Sequence, residues 1–163
     1  MYKTAIKIMG SVSLMVALQC CSPSPEQIQA SAGELMAVNH GIDSVYNQLT
    51  KSYETFQASE MDNALAGMVS YLDGAIATMR SMNTPDDCKK LHKAISDKIE
   101  VMRSIAATEA KEQVRIYKIP DSDFTDDLRH KWDDISKRVE QKVSEANDIV
   151  SKANKEIKQN NQK

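Results

Sequence analysis

Cys88 and His92 have the residue types and the spacing of a metal-binding pair. They stand four positions apart, so on a helix both side chains project from one face. A thiolate and an imidazole suit a soft or borderline metal ion such as copper, and Met79 or Met82 would supply a thioether as third ligand. Two ligands do not make a site, so the favoured interpretation is that both residues are structural and that the chain has no metal and no cofactor.

A second group of chemically active side chains is acidic. Six aspartates fall between positions 121 and 134, without the glycine and the terminal glutamate of an EF-hand calcium loop. Acidic residues in a first helical turn stabilise the helix dipole, and the apolar residues beside them also predict a docking surface for a basic protein partner. The residues assigned to that surface are Tyr117, Ile119, Asp121, Asp123, Phe124, Asp126 and Asp127.

Enzyme signatures are missing from the chain. It has no glycine-rich phosphate loop, no Gly-x-Ser-x-Gly and no His-Glu-x-x-His, and its three histidines are far apart in sequence. The formal net charge is −2, and no block is basic enough to predict nucleic acid as a partner. The sequence therefore predicts a protein that is not an enzyme and does not bind nucleic acid.

The start of the chain has the composition of an export signal. Lys3 and Lys7 give a positively charged beginning, and a mostly apolar run covers positions 8–18. That run is shorter than the roughly 20 apolar residues that a membrane-spanning helix needs. We therefore expect this segment to be removed after it has directed the chain across a membrane.

The residues at 18–22, Leu-Gln-Cys-Cys-Ser, close the export segment. They resemble the lipobox of bacterial lipoproteins, in which a leucine three positions before a cysteine marks the cleavage site. The resemblance implies a signal peptide at 1–20 and acylation of Cys21, which stands three positions after Leu18. The family prefers small residues between these two, whereas this chain has a glutamine there. Cys20 is the alternative site of acylation.

The resemblance also implies a location in the cell. Diacylglycerol and a further acyl chain such as palmitate would anchor the protein, since two or more chains hold a protein stably on a membrane. Ser22 stands where enterobacterial relatives carry the aspartate that retains lipoproteins in the inner membrane, so the outer membrane of the cell envelope is favoured. With Cys21 acylated, Cys88 is a lone thiol; with Cys20 acylated, Cys21 and Cys88 could form a disulfide.

Prolines and capping residues divide the remaining chain into four helices. All four prolines lie outside the periodic segments, and Ser24 with Gln27 predicts a capping box. The expected N-caps of the other helices are Ser59, Thr84 and Thr125, with Ser122 as the alternative for the last. The predicted helices are 24–58, 60–82, 85–118 and 123–159. The bundle thus spans 24–159, after an acylated linker at 21–23 and before a frayed tail at 160–163.

Apolar residues recur at alternating steps of three and four in each helix, which is the period of a helical bundle. The stripe of the first helix is Ile28, Ala32, Leu35, Asn39, Ile42, Tyr46, Leu49, Tyr53 and Phe56. Aromatic residues make up only 5% of the chain, which argues against a β-sandwich or barrel. The sequence therefore predicts an all-α fold, an antiparallel up-down bundle of four helices with coiled-coil-like packing and a short second helix.

The third helix departs from its apolar stripe near its end. Glu109 and Gln113 occupy positions that apolar residues hold earlier in that helix. Because the second helix is short, we expect residues 109–131 to project past the bundle as a helical hairpin with this stripe uncovered. The acylated cysteine precedes the first helix, so the hairpin would point away from the membrane.

These features predict a non-catalytic envelope lipoprotein that binds or scaffolds a protein partner through the distal hairpin. Two alternatives stay open. One is a metal-handling bundle for copper or another soft metal, using Cys88 and His92. The other is a purely structural lipoprotein of the envelope.

Overall fold

The computed structural model describes residues 23–160, so the signal segment and both candidate acylation sites lie outside the described residues. Within this range the chain forms helices and no strand, which confirms the all-α prediction. The α-helices are α1 Pro25–Glu54, α2 Ala58–Ser81, α3 Lys89–Ile105, α4 Lys111–Tyr117 and α5 Asp126–Asn160. None of the described helices is both long and apolar enough to cross a membrane.

The five α-helices form four antiparallel rods, because α3 and α4 are joined without a break by a π-helical turn, Ala106–Ala110. Short 3-10 turns, Asp86–Cys88 and Asp121–Asp123, precede α3 and α5. At 24 residues, α2 is shorter than α1 and α5, which have 30 and 35. The predicted bundle with a short second helix is therefore confirmed.

The local signals at helix starts were only partly correct. Ser24 Oγ accepts from the Gln27 amide at 3.2 Å and Gln27 Oε1 accepts from the Ser24 amide at 2.9 Å, so the capping box is confirmed. Thr125 Oγ1 accepts from the Leu128 amide at 3.4 Å, as expected at the start of α5. Ser59 and Thr84 are not caps, because α2 begins one residue before the first and a 3-10 turn follows the second.

The core lies where the stripes of α1, α2, α3 and α5 meet. Helix α3 packs against α1, α2 and α5, whereas α1 packs mainly against α2. At one point α1 and α2 approach so closely that a Cβ on Gly41 would lie 1.7 Å from the Tyr71 hydroxyl, which donates to the Val38 carbonyl at 3.2 Å. Glycine is thus required at this crossing by packing, although its backbone is helical.

A lysine is buried inside this largely apolar core. The side chain of Lys98 is 0% exposed, and its Nζ donates to Asn39 Oδ1 at 2.8 Å and to Asp43 Oδ1 at 2.6 Å. Asn39 Nδ2 in turn donates to Asp43 Oδ2 at 3.2 Å. The three side chains tie α3 to α1, and they explain why the stripe of α1 contains an asparagine.

The prediction that residues 109–131 form an uncovered projection was wrong. The π turn contains one more residue than an α-helical turn, so it rotates the apolar stripe forward by one position. Ala110 and Val114 therefore take the core positions that an uninterrupted α-helix would have given to Glu109 and Gln113. Gln113 is itself buried, and α4 packs against the start of α2 rather than standing free.

The buried ion pair predicts that replacing Asp43 and replacing Lys98 change the free energy of unfolding by different amounts. Asp43→Ala leaves the Lys98 ammonium buried without its counter-charge, and we expect a loss of about 3 kcal/mol or more in the free energy of unfolding. Lys98→Met keeps an apolar chain of similar length, and Asp43, whose side chain is 39% exposed, keeps contact with water. That variant should lie within about 1 kcal/mol of the wild type.

Urea denaturation followed by circular dichroism measures both values. Equal losses in the two variants, or a larger loss for Lys98→Met, would contradict the assignment of the cost to an uncompensated buried ammonium.

Candidate partner-binding site

The seven residues assigned to a docking surface lie at one end of the bundle, where α4 ends and α5 begins. Four of them line a pocket of about 270 Å³, namely Tyr117, Ile119, Asp121 and Phe124. Asp123, Asp126 and Asp127 do not line the pocket but are exposed on the adjoining turn and the first residues of α5. We call this cavity the distal pocket, since it lies at the opposite end of α1 from Pro25.

Sequence reasoning missed half of the pocket lining. Phe56, Ile116, Arg129 and Trp132 also line it. Phe56 falls on the apolar stripe of the first predicted helix and Trp132 on that of the fourth, so periodicity assigned both to the core. In the structure α1 ends at Glu54, two residues before Phe56, and the phenylalanine is 78% exposed.

Four aromatic rings form a continuous cluster beneath and beside the pocket. Tyr117 stacks on Tyr53 with ring centroids 5.4 Å apart and an interplanar angle of 5°. Trp132 meets Tyr117 edge to face at 4.4 Å and Tyr53 at 5.3 Å. Phe56 meets Tyr117 at 5.9 Å. The cluster joins the end of α1, the turn that follows it, the end of α4 and the start of α5.

Tyr53 is the buried member of this cluster. Burial, with a smaller effect from the neighbouring tyrosines Tyr46 and Tyr117, raises the pKa of its hydroxyl far above the ordinary value. The hydroxyl therefore keeps its proton, and its oxygen lies 3.5 Å from Gln113 Oε1. Gln113 Nε2 donates to Ser136 Oγ at 3.0 Å, so this glutamine links the aromatic cluster to α5.

Ion pairs fasten α4 to its neighbours. Lys118 lies 2.6 Å from Asp62 of α2, and Lys131 of α5 lies 2.6 Å from Glu112. Hydrogen bonds from Arg115 and then Lys131 lower the pKa of Glu112 from 4.5 to about 2. Because the folded-state pKa is lowered, the contribution of these contacts is present above the ordinary carboxyl pKa and is lost as the pH falls towards 2.

Glu109, one turn earlier, joins the π turn to α5. Burial by itself would raise the pKa of this carboxyl, but hydrogen bonds from Lys142 and Thr108 outweigh that effect and lower it. The side chain of Glu109 is 10% exposed and pairs with Lys142. The polar residues at the end of the third rod are thus contacts between helices, not an uncovered surface.

The backbone of Phe56 is unusual. Its φ is 55°, and it is the only residue other than glycine with a positive φ among the described residues. This left-handed region is unfavourable for a bulky side chain and costs on the order of 1–2 kcal/mol. Because the ring is mostly exposed, its burial does not offset that free-energy cost. Backbone strain of this kind is concentrated at functional sites.

The rim of the distal pocket is negatively charged. Asp121, Asp123 and Asp127 form no ion pair with any described residue, while Asp126 lies 3.6 Å from Arg129. Lys118, next to the pocket residue Tyr117 in sequence, and Lys131, next to Trp132, are already paired with carboxylates. The uncompensated charge at this end therefore belongs to aspartates.

Cys88 and His92, the residues of the metal-binding alternative, each form a contact with a neighbouring helix. Cys88 is buried and its Sγ donates to the Ile28 carbonyl of α1 at 3.5 Å. A ring nitrogen of His92 lies 2.9 Å from the Met79 carbonyl of α2. The two side chains thus contact different helices, and the part of the chain that the structure describes holds no cluster of three or more cysteine, histidine, aspartate or glutamate side chains able to bind a metal ion.

Comparison with known proteins identifies no relative. No family model, no curated protein and no solved structure matches this chain. Any assignment of function therefore depends on the residues and the geometry of the distal pocket.

The strain at Phe56 makes a testable prediction about stability. Phe56→Gly relieves the left-handed conformation, whereas Phe56→Ala removes the same ring but retains a Cβ, so we expect the glycine variant to be more stable by about 1 kcal/mol. The neighbouring Thr55 has φ −81° and ψ −17°, which is right-handed, so its alanine variant should be more stable than its glycine variant.

Urea denaturation of the four variants compares the two positions. An alanine preference at both positions would show that the turn does not hold Phe56 in the left-handed region in solution.

Proposed function

We propose that this chain is a lipid-anchored protein of the bacterial cell envelope that binds a protein partner at the membrane-distal end of its helical bundle. The observation that carries the proposal is the distal pocket, an apolar cavity rimmed by aspartates, of which Asp121, Asp123 and Asp127 form no ion pair with any described residue. The mechanism is binding and not catalysis, because the pocket contains no nucleophile paired with a base and serves to hold side chains of another protein.

The position of the pocket fits an anchored binding module. An acylated cysteine at position 21 would stand four residues before Pro25, where α1 begins. Helix α1 has 30 residues and therefore extends about 45 Å to the end that carries the pocket. A partner could reach the pocket without touching the membrane surface.

The composition of the pocket fits a protein partner. The centres of protein interfaces are enriched in aromatic residues, which here supply Phe56, Tyr117, Phe124 and Trp132. Unpaired carboxylates around such a centre attract a basic surface and repel an acidic one. We therefore expect the partner to be basic where it meets this end of the bundle.

Charge reversal at the rim tests the proposal. A photo-reactive amino acid at the exposed position Ser122 should form a covalent adduct with the partner in living cells. The triple variant Asp123→Lys, Asp126→Lys and Asp127→Lys should lose that adduct while circular dichroism shows the same helical content, because the attraction to a basic surface is reversed.

The control is a triple reversal at exposed acidic positions along the bundle, Glu34→Lys, Glu145→Lys and Asp148→Lys. It changes the net charge equally and should leave the adduct intact. An adduct that persists in the rim variant would contradict binding at the distal pocket, and the absence of any adduct in the wild type would favour the purely structural alternative.

The intact mass of the protein extracted from its own membranes tests the anchor. We expect a chain cut after residue 20, acyl groups on Cys21 and one thiol, that of Cys88, alkylated after reduction and unfolding. A second alkylated thiol on a chain cut after residue 19 would assign the acyl groups to Cys20 instead. An uncut chain, or a cut chain without acyl groups, would overturn the anchor and the orientation of the bundle.

A further inference from the structure

The distal pocket has apolar walls and an acidic rim, and both properties restrict which group of a partner can enter it. Side chains from three separate parts of the chain form the walls: Phe56 from the α1–α2 turn, Ile116 and Tyr117 from α4, and Trp132 from α5. These walls are apolar, and Asp121 and Arg129 are the only charged side chains among the lining residues. Such a cavity favours an apolar group over a charged one.

The volume of the pocket limits the size of that group. At about 270 Å³ the cavity is just below the range of pockets that enclose whole small-molecule ligands, which begins at roughly 300 Å³. One large apolar side chain fits such a space, whereas a helix laid along its length does not. Anchor residues of protein interfaces commonly insert into pockets in this way.

Charge around the pocket limits the sequence that surrounds this apolar group. Lys118 and Lys131 are each paired with a carboxylate, and Arg129 lies beside Asp126. Asp121, Asp123 and Asp127 are left without partners among the described residues. A segment that inserts an apolar side chain here would place its neighbouring residues against these carboxylates, where lysine and arginine are favoured.

We propose that the distal pocket receives a single large apolar side chain, of the size of leucine or phenylalanine, from a lysine- or arginine-rich segment of the partner. This inference rests on the proposed function, because it assigns the chemistry of the partner at the same site. Phe56 is the outer wall that contacts the inserted side chain, and contact with the partner covers a ring that is 78% exposed in the free protein.

Three five-residue peptides with blocked termini test the proposal directly. The first has a leucine between two pairs of lysines, the second an alanine between the same lysines, and the third a leucine between two pairs of glutamates. Trp132 is the single tryptophan of the chain and lines the pocket, so its fluorescence reports binding to the full-length protein in a non-ionic detergent.

We expect the leucine–lysine peptide to bind at least about tenfold more tightly than either of the others, because only it supplies both the apolar group and the positive charge. Its affinity should fall as salt is added. Equal binding of the alanine peptide would overturn the apolar anchor, and equal binding of the glutamate peptide would overturn the role of charge. Failure of all three to change the fluorescence at millimolar concentration would overturn the proposal as a whole.

Phe56→Gly provides the matched variant. It removes the outer wall without adding strain, and it should weaken the leucine–lysine peptide about tenfold or more while leaving the alanine–lysine peptide unchanged. Ile149→Ala removes another exposed apolar side chain, 56% exposed on α5 and outside the pocket, and should leave both affinities unchanged. Unchanged binding in the Phe56 variant would overturn the assignment of Phe56 as a wall.

The proposed function and the apolar anchor are overturned by different results. If rim charge reversal abolishes the adduct in cells but none of the three peptides changes the fluorescence of Trp132, the proposed function stands and the apolar anchor is wrong. If the peptides bind as expected but no adduct forms in cells, the pocket chemistry stands and the proposed role in the envelope is wrong.

Discussion

The ion pair between Lys98 and Asp43 is the constraint on which the rest of the structure depends. An ammonium in the core is tolerated only with a counter-charge and hydrogen bonds, so α3 must place Lys98 beside Asn39 and Asp43. Apolar stripes alone permit two helices to slide by a turn, whereas a buried polar contact fixes their register. The register of α1 against α3 in turn decides which residues meet at the distal end.

The π turn determines which residues of the third rod face the core in that register. Without it, the stripe of the third rod would place Glu109 and Gln113 against the core. With it, Ala110 and Val114 pack inward, and Tyr117 comes to lie on Tyr53. The extra residue of the π turn therefore keeps apolar side chains in the core and also places Tyr117 in the aromatic cluster. For this reason the irregular helix geometry and the candidate site occur together.

Much of the fold could be predicted because its signals are local. The capping box at Ser24, the start of α5 at Thr125 and the period of the apolar stripes each depend on residues within one or two turns. The candidate site was half predicted for the same reason. Tyr117 and Phe124 border the acidic turn in sequence, whereas Phe56 and Trp132 reach the pocket only through contacts between helices. Lys98 had a signal that was overlooked, since it continues the three-four spacing of Leu91 and Ile95.

The sequence by itself determined that this protein is helical, that four rods pack antiparallel and that acidic and aromatic residues gather near the start of α5. The export signal and the acylated cysteine remain predictions of the sequence. Only the tertiary structure decided that Phe56 leaves the core, that the third rod changes phase and that a pocket forms where α1 and α4 end and α5 begins. Helix formation follows short-range hydrogen bonding, while these features depend on the fit between distant segments, which periodicity does not encode.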